Sequence, residues 1–168
     1  DWGFFPGNNA GGIYDISSDR PYEGNSYFNT SWVGEGTASG FYGGIFKNLD
    51  NTAQVSVMDN AWFSVWVLNQ SDATVDQFTL EITLREDLDG DGWEDGQEDS
   101  IGLNTTFTSA RFNDKWTLIS APLSAFTNRG TGGDGVFNGA LDEVVLVIAG
   151  VQGVFGSTVE IDFDQIRL

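Results

Sequence analysis

Apolar side chains recur at every second position wherever this sequence shows a clear pattern. In residues 76–87, phenylalanine, leucine and isoleucine at the even positions alternate with threonine, glutamate and arginine at the odd positions. Residues 159–168 alternate in the same way, and residues 143–149 form an almost continuous aliphatic run. A period of two fits a strand with one buried face, and an aliphatic run fits a central strand covered on both sides. The sequence therefore predicts an all-β protein.

Glycine-rich connections separate these segments, and the 22 glycines suit the turns of a many-stranded fold. We find no repeat of fixed period and no Pro-rich or Ser-rich linker. Aromatic residues form 14% of the chain, which is enough to build a sizeable core. We therefore expect a single domain over residues 1–168, folded as a two-sheet antiparallel β-sandwich of the jelly-roll type.

The charge balance excludes several classes of function. The chain has 25 acidic and 7 basic residues, a net charge of -18, and neither histidine nor cysteine. These absences exclude Ser-His-Asp triads, cysteine nucleophiles, disulfides and the usual zinc, haem and iron-sulfur sites. Nucleic acid and anionic lipid are disfavoured by charge, and no apolar run is long enough for membrane insertion. We expect neutral partners and cations.

The most specific motif is the acidic sequence DLDGDGWEDGQE at residues 87–98. It satisfies the D-x-D-x-D-G-x5-E template of a calcium loop, and Gly92 stands at the sharp turn. The alternative is a solvated acidic turn. The template predicts one Ca²⁺ ion held by Asp87, Asp89, Asp91, the Trp93 carbonyl, Asp95 and Glu98.

Strands flank this loop where an EF-hand sensor has helices. A strand ends near Glu86 and an extended segment begins at Ser100, which predicts a calcium-stapled β-hairpin. The loop resembles the acidic repeats of dockerins and thrombospondin-type modules, which are extracellular. Low-affinity calcium sites suit extracellular modules, and a secreted chain without cysteine suggests a bacterial surface or secreted protein.

Four segments together carry a resemblance to a known family. They are YEGNSYFNTSW from Tyr22, KWTLISAPLSAF from Lys115, LDEVVLVIAG from Leu141 and VEIDFDQIRL from Val159. They resemble galactose-binding-like jelly-roll carbohydrate-binding modules, found on bacterial glycanases and surface glycan-binding proteins. The resemblance covers residues 22–168. It implies non-catalytic binding of a neutral polysaccharide by a module appended to an enzyme or a surface protein.

The same resemblance implies a second, structural calcium ion between an early glycine-containing loop and the last strand. In this sequence the matching segment is residues 23–26, and the resemblance implies Glu23, Asn25 and Asp164 as ligands. The alternative is that Asp164 faces solvent.

Pyranose rings pack on aromatic side chains, while their hydroxyls need polar partners. The candidates for stacking are Trp32, Phe41, Tyr42 and Trp66. Glu81 and Arg85, expected on a strand beside Trp66, are the candidate hydrogen-bonding residues. Each aromatic also has an interpretation as a core residue, and we assign Trp116 to the core.

Two alternatives to a binding module come from other functional classes. Glu160, Asp162 and Asp164 alternate on one strand, where carboxylates are able to cleave a glycosidic bond. The string also resembles the E-x-D-x-x-E type signature of a jelly-roll glucanase family. However, the third carboxylate is aspartate one position early, and the motif lies at the C-terminal end of a short chain. We therefore expect no catalytic residue. The second alternative is an adhesion or spacer domain rigidified by calcium.

Overall fold

The computed structural model describes residues 2–5, 13–33, 41–54, 61–70, 78–86, 99–107, 115–129, 133–150 and 158–168. These residues form eleven β-strands and one turn of 3₁₀ helix at Leu123–Ala125. The strands are β1 (Trp2–Phe5), β2 (Ile13–Ser17), β3 (Tyr27–Val33), β4 (Phe41–Gln54), β5 (Trp62–Asn69), β6 (Phe78–Glu86), β7 (Ser100–Phe107), β8 (Thr117–Pro122), β9 (Thr127–Asn128), β10 (Ala140–Gly150) and β11 (Thr158–Arg167).

The strands form two sheets. The six-stranded sheet has the order β1-β4-β10-β6-β7-β9, and the five-stranded sheet has the order β2-β3-β11-β5-β8. Every pairing within them is antiparallel. The predicted two-sheet antiparallel sandwich is confirmed, and no helix in the described residues is long and apolar enough to span a membrane.

The core lies between the sheets and follows the predicted period of two. On β6 the side chains of Leu80, Ile82 and Leu84 are fully buried, while the residues between them carry the polar outer face. From the other sheet, β11 contributes Ile161 and Phe163, which are also fully buried. Burying such a side chain stabilises the fold by about 1.5–3 kcal/mol. The two inner faces therefore hold the sandwich together.

Strands β5 and β10 explain the sequences that are apolar on both faces. Strand β10 is central, and both Leu146 on its inner face and Val145 on its outer face are buried. On β5, Phe63 faces the core, whereas Trp62 on the other face is 54% exposed. The outward-facing aromatic residues of β5 can therefore contact groups outside the core.

Candidate functional site

Polar side chains cover the part of the outer face of the six-stranded sheet that lies around β6 and β7. Glu81 and Arg85 of β6 lie on this face, and their register partners are Asn104 and Ser100 on β7. On the other side of β6, Glu143 of β10 pairs with Arg85. We call this surface the polar face and define it by Glu81, Arg85, Asn104, Arg129 and Glu143. The outward positions of three neighbouring strands and the segment after β9 supply it.

Arg129 is the most closely constrained cation of the polar face. Its backbone N–H donates to the Ser100 carbonyl at 2.9 Å. Its guanidinium donates to Asn104 Oδ1, and Nη1 lies 3.7 Å from Glu81 Oε2. The guanidinium lies directly over Gly102, where an added β-carbon would overlap Arg129 Nε. Gly102 therefore supplies the space that Arg129 occupies.

Arg85 and Glu143 form the second charged pair of the face. Arg85 Nη1 donates to Glu143 Oε2, and Glu143 is 5% exposed. A carboxylate this deeply buried needs a compensating charge or hydrogen bonds. The pair therefore holds a polar group inside an otherwise aliphatic region of β10.

An open groove runs beside Arg129 and has a volume of about 550 Å³. It is lined by Gly102, Leu103, Asn104, Ala125, Thr127 and Arg129. The guanidinium of Arg129, the amide of Asn104 and the hydroxyl of Thr127 present hydrogen-bond donors and acceptors along this groove. Such a surface suits a neutral ligand rich in hydroxyl groups.

Aromatic rings lie at the β1 edge of the same sheet. The Phe46 ring lies against Gly3 and the Phe5 ring against Gly44, in each case where a β-carbon would collide with the ring. The two rings are 6.4 Å apart. Sequence reasoning missed Phe5, Phe46, Asn104 and Arg129. The only signal for Arg129 was the rarity of cations in the chain, since β9 is too short to be recognised from a pattern.

The predicted ligand-binding residues are divided between the two sheets. Glu81 and Arg85 lie on the polar face of the six-stranded sheet, while Trp66 is on β5 of the five-stranded sheet. The prediction that they occupy neighbouring strands is wrong, because β5 pairs with β11 and β8. Strand pairing between distant segments has no local sequence signal.

The remaining predicted aromatics are placed by their backbones alone. Trp32 of β3 pairs with Val159, and Phe41 and Tyr42 of β4 pair with Gly150 and Ala149. The side chains of these three residues are outside what the structure describes. Their roles in ligand binding remain predictions.

The predicted calcium loop, residues 87–98, lies outside the described residues, but both of its ends are described. As predicted, β6 ends at Glu86 and β7 begins at Ser100. The Glu86 N–H donates to the Asp99 carbonyl at 3.1 Å and closes the base of the loop. Asp99 Oδ2 accepts N–H bonds from Gly135 and Val136 at 2.8 and 3.1 Å.

Glu86 is fully buried at this base. Its Oε2 accepts the Asn138 N–H at 2.6 Å, and its Oε1 has no hydrogen-bond partner among the described residues. Desolvation is the main reason that the pKa of Glu86 is raised. An oxygen without a partner beside an acidic loop is the donor type that Ca²⁺ accepts. The base of the loop therefore fits a bound cation.

The region implied for a second calcium ion is built differently. Asp164 is 6% exposed, so the alternative of a solvated side chain is wrong. Its Oδ2 accepts the N–H groups of Tyr22 and Glu23 at 2.9 and 3.1 Å, and its Oδ1 accepts the Gln165 N–H at 2.7 Å. The Glu23 carboxylate is exposed and pairs with Arg167 at 3.2 Å.

The early loop and the last strand therefore meet, as the resemblance implies. However, both Asp164 oxygens accept backbone N–H groups, and no hydrogen bond joins Asn25 to Asp164 in the described residues. No group of three or more acidic side chains of metal-binding geometry occurs among the described residues. This arrangement does not fit a second cation, because partial positive charges already occupy the carboxylate.

The other two carboxylates of β11 belong to a polar cluster over the five-stranded sheet. The Asn29 amide donates to Glu160 Oε1 and Asp162 Oδ1 at 2.9 and 2.8 Å. Arg20 lies 3.5 Å from Glu160 and 4.0 Å from Asp162. Desolvation raises the pKa of the fully buried Asp162 to about 7. These carboxylates bind neighbouring side chains instead of lining a cleft.

Trp116 also lies over the five-stranded sheet, so its assignment to the core is wrong. Its ring meets Tyr27 at 5.7 Å and Tyr22 at 6.4 Å, in edge-on geometry. Its indole N–H donates to the Arg20 carbonyl at 3.1 Å. Trp116 precedes β8 and packs on the loop before β3, a contact that depends on tertiary structure.

No known protein-family profile matches the sequence, and no curated protein matches it significantly. Solved structures do match. A family 11 carbohydrate-binding module from Clostridium thermocellum, in complex with a β-1,3-1,4-mixed-linked tetrasaccharide, aligns with a TM-score of 0.60 at 17% identity. The alignment covers 98% of this chain and 86% of that chain.

Two further structures match over nearly the whole chain. One concerns the promiscuous specificity of carbohydrate-binding modules of the β-sandwich superfamily, with a TM-score of 0.60, 16% identity, and coverage of 98% of this chain and 55% of that chain. The other is an exo-β-agarase, with a TM-score of 0.54, 11% identity, and coverage of 99% of this chain but 22% of that chain. At such identities the similarity establishes the fold, which is the β-sandwich also seen in these carbohydrate-binding modules.

Proposed function

We propose that this chain is a non-catalytic module that binds a neutral polysaccharide on its polar face. The observation that carries the proposal is the fixed guanidinium of Arg129, which Glu81 and Asn104 hold over Gly102 beside an open groove. Sugar hydroxyls need donors and acceptors held in place before binding, so that little entropy is lost on association. The match to carbohydrate-binding modules with this fold supports the same function.

The net charge of the chain restricts the ligand. At -18, the chain repels uronic and sulfated polymers. Within the polar face the charges are balanced, because Arg129 faces Glu81 and Arg85 faces Glu143. A balanced polar surface on an acidic protein favours an uncharged glycan.

The non-catalytic assignment is supported by the contacts of the β11 carboxylates. Glu160 and Asp162 bind Asn29 and lie near Arg20, and Asp164 accepts backbone N–H groups. A glycosidase needs one carboxyl group free to donate a proton and a second free to act on the sugar or on water. These three side chains are engaged in holding the fold together.

One Ca²⁺ ion in the loop at residues 87–98 is part of the proposal. The loop sequence satisfies the calcium template, and at its base the buried Glu86 Oε1 has no hydrogen-bond partner within the part of the chain that the structure describes. When bound, the ion neutralises carboxylates that otherwise repel each other. Its role is structural, since it holds together the loop that connects β6 to β7.

The proposed setting is extracellular or on the surface of a bacterial cell, as part of a longer protein. A calcium-stapled loop suits calcium-rich surroundings. The structural match to a portion of an exo-β-agarase shows that this fold also occurs within a larger enzyme chain. Attachment to an enzyme or a cell surface would add avidity to the modest affinity of a single shallow site.

Affinity gel electrophoresis tests the function. The chain is run through gels containing mixed-linkage β-glucan, xylan, mannan or galactan, with and without a calcium chelator. Retardation on one neutral glycan that Arg129→Ala weakens is the expected result. Lys115→Ala is the matched control, because it removes one cation outside the polar face.

Three other results would contradict the proposal. Release of reducing sugar would identify an enzyme. Equal retardation of the wild type and Arg129→Ala would place the site elsewhere. No retardation on any of the four glycans, together with a large drop in Tm on chelation, would favour a calcium-rigidified adhesion or spacer domain.

A further inference from the structure

Aromatic side chains that the core does not bury lie on the outer face of the five-stranded sheet, opposite the polar face. We call them the aromatic shelf and define it by Tyr22, Trp62, Trp66 and Trp116. Tyr22 and Trp62 are 43% and 54% exposed. Trp62 and Trp66 are four residues apart on one face of β5, which separates them by roughly 13 Å. Ordered aromatic rings exposed on a rigid sheet are uncommon and mark binding surfaces.

Tyr22 is fixed before any ligand arrives. Its ring stacks on Trp66 with centroids 3.6 Å apart and an angle of 18° between the planes. Trp116 meets it edge-on, and the Trp116 indole N–H donates to the backbone of Arg20. The Tyr22 N–H is held by the Asp164 carboxylate at 2.9 Å. A ligand that stacks on Tyr22 therefore does not have to order the ring.

Polar groups lie between the two exposed rings. Ser64 stands between Trp62 and Trp66 on β5, and its register partners are Ser120 and Arg167. Arg167 pairs with Glu23, and both of these side chains are more than half exposed. The shelf thus places hydroxyl, guanidinium and carboxylate groups in the interval between aromatic rings.

The arrangement of aromatic rings and polar groups on the shelf indicates which class of ligand it fits. Protein-binding patches have a contiguous apolar centre that is depleted of charged residues. Here Ser64 and its register partners Ser120 and Arg167 lie between Trp62 and the stacked rings of Tyr22 and Trp66. Pyranose rings offer C–H faces for stacking and hydroxyls at their edges. The carboxylates of Asp19 and Glu160 lie on the same side of the sheet, where they repel anions. A neutral glycan satisfies all of these conditions.

We infer that the aromatic shelf is a second binding surface for a neutral glycan, separate from the polar face, with Tyr22 and Trp62 as stacking residues. The inference rests on the proposed function, because it assigns another surface to the same class of ligand. Two surfaces on opposite sheets would allow one molecule to bridge two polysaccharide chains.

Isothermal titration calorimetry tests this inference with soluble oligosaccharides of the glycan that retards the wild type in the gels. The expected result is two sites on the wild type. Trp62→Ala and Tyr22→Ala should each weaken one site about tenfold and leave the other unchanged, while Arg129→Ala affects only the other. Tyr14→Ala is the matched control, since Tyr14 is 48% exposed on the same sheet but contacts Phe4 of the other sheet.

A glycan-induced rise in Tm, measured for each variant, separates folding from binding. If Trp62→Ala and Tyr22→Ala fold normally and bind with wild-type stoichiometry and affinity, the inference is wrong while the proposed function stands. A wild type with a single site that only Arg129→Ala weakens would also contradict the inference and leave the proposed function standing. Loss of self-association in Trp62→Ala, measured by sedimentation, would instead assign the shelf to contacts between copies. Failure of the wild type to bind any of the four glycans overturns both proposals.

Discussion

The buried carboxylate of Asp162 yields a prediction of stability against pH. Desolvation raises its pKa from 3.8 to about 7 in the folded chain. The unfolded chain therefore releases this proton near pH 4, whereas the native state holds it until about pH 7. The free energy of unfolding that Asp162 contributes consequently falls as pH rises through this window and is constant above it.

Asp162→Asn removes the titration and keeps a neutral side chain of the same shape. The rise in the pKa of Asp162 from 3.8 to about 7 corresponds to about 4 kcal/mol of unfolding free energy. This value is an upper limit, because Arg20 and water adjust to the charge. The amide oxygen still accepts the Asn29 amide N–H. We expect the variant to be more stable than the wild type at pH 8, with the difference shrinking toward pH 4.5.

Urea unfolding of both proteins at half-unit steps from pH 4.5 to 8.5, with chelator present throughout, measures the difference. Carboxylates common to both proteins cancel in this comparison. A difference in unfolding free energy that did not change with pH, or that grew toward low pH, would refute the reasoning. Such a result would mean that Asp162 is ionised in the native state across the range.

Asp164→Asn is the control two residues along the same strand. Asp164 accepts three backbone N–H bonds, and its Asn replacement offers an amide N–H where an acceptor is needed. Hydrogen bonds to a charged group contribute about 1.5–3 kcal/mol each, so this variant should lose about 3 kcal/mol or more at pH 7. Two Asp→Asn substitutions on the same strand should therefore change the free energy of unfolding in opposite directions.

Three further predictions concern the polar face and the acidic loop. Gly102→Ala should displace the Arg129 guanidinium and weaken glycan binding about tenfold in affinity gels, the loss expected for one charged hydrogen bond, with an unchanged Tm. Arg85→Ala should destabilise the fold by about 3 kcal/mol in urea unfolding, because it removes a compensating charge from the buried Glu143. Added Ca²⁺ should raise Tm at pH 7, and this gain should vanish as pH falls toward 4, where the ligands become protonated; a constant gain down to pH 3 would contradict it.

Local patterns in the sequence carried enough information to predict the strands. The alternation on β6 places Leu80 and Ile82 inward and Glu81 outward, and the structure confirms this division. The aliphatic run near Val145 correctly predicts a central strand, because only a strand covered on both faces needs apolar residues at consecutive positions. The hairpin around the acidic loop was also predictable, since its two strands are adjacent in sequence.

Pairing between distant segments was not predictable. The local sequence shows that a residue points outward, but it does not show which strands lie beside that residue. Trp66 and Glu81 both alternate with core residues along their strands. However, they belong to different sheets and lie on opposite outer faces of the sandwich. Arg129 reaches Glu81 only because β9 joins the edge of β7 opposite Gly102. The space for the guanidinium comes from Gly102 inside β7, whose role is visible only once Arg129 is placed over it.

The aromatic shelf and the polar face offer a ligand different chemical groups, and this difference has a physical consequence. A sandwich of this size has one core, so any aromatic that the core excludes must lie on one of two outer surfaces or in a loop. Here Tyr22, Trp62 and Trp66 lie on one outer surface, while the paired charges of Arg85 and Arg129 lie on the other. A surface dominated by stacking should lose affinity when a ring is truncated and be insensitive to salt. Binding by the polar face should depend on the geometry of Arg129, so the two surfaces remain distinguishable even with the same glycan.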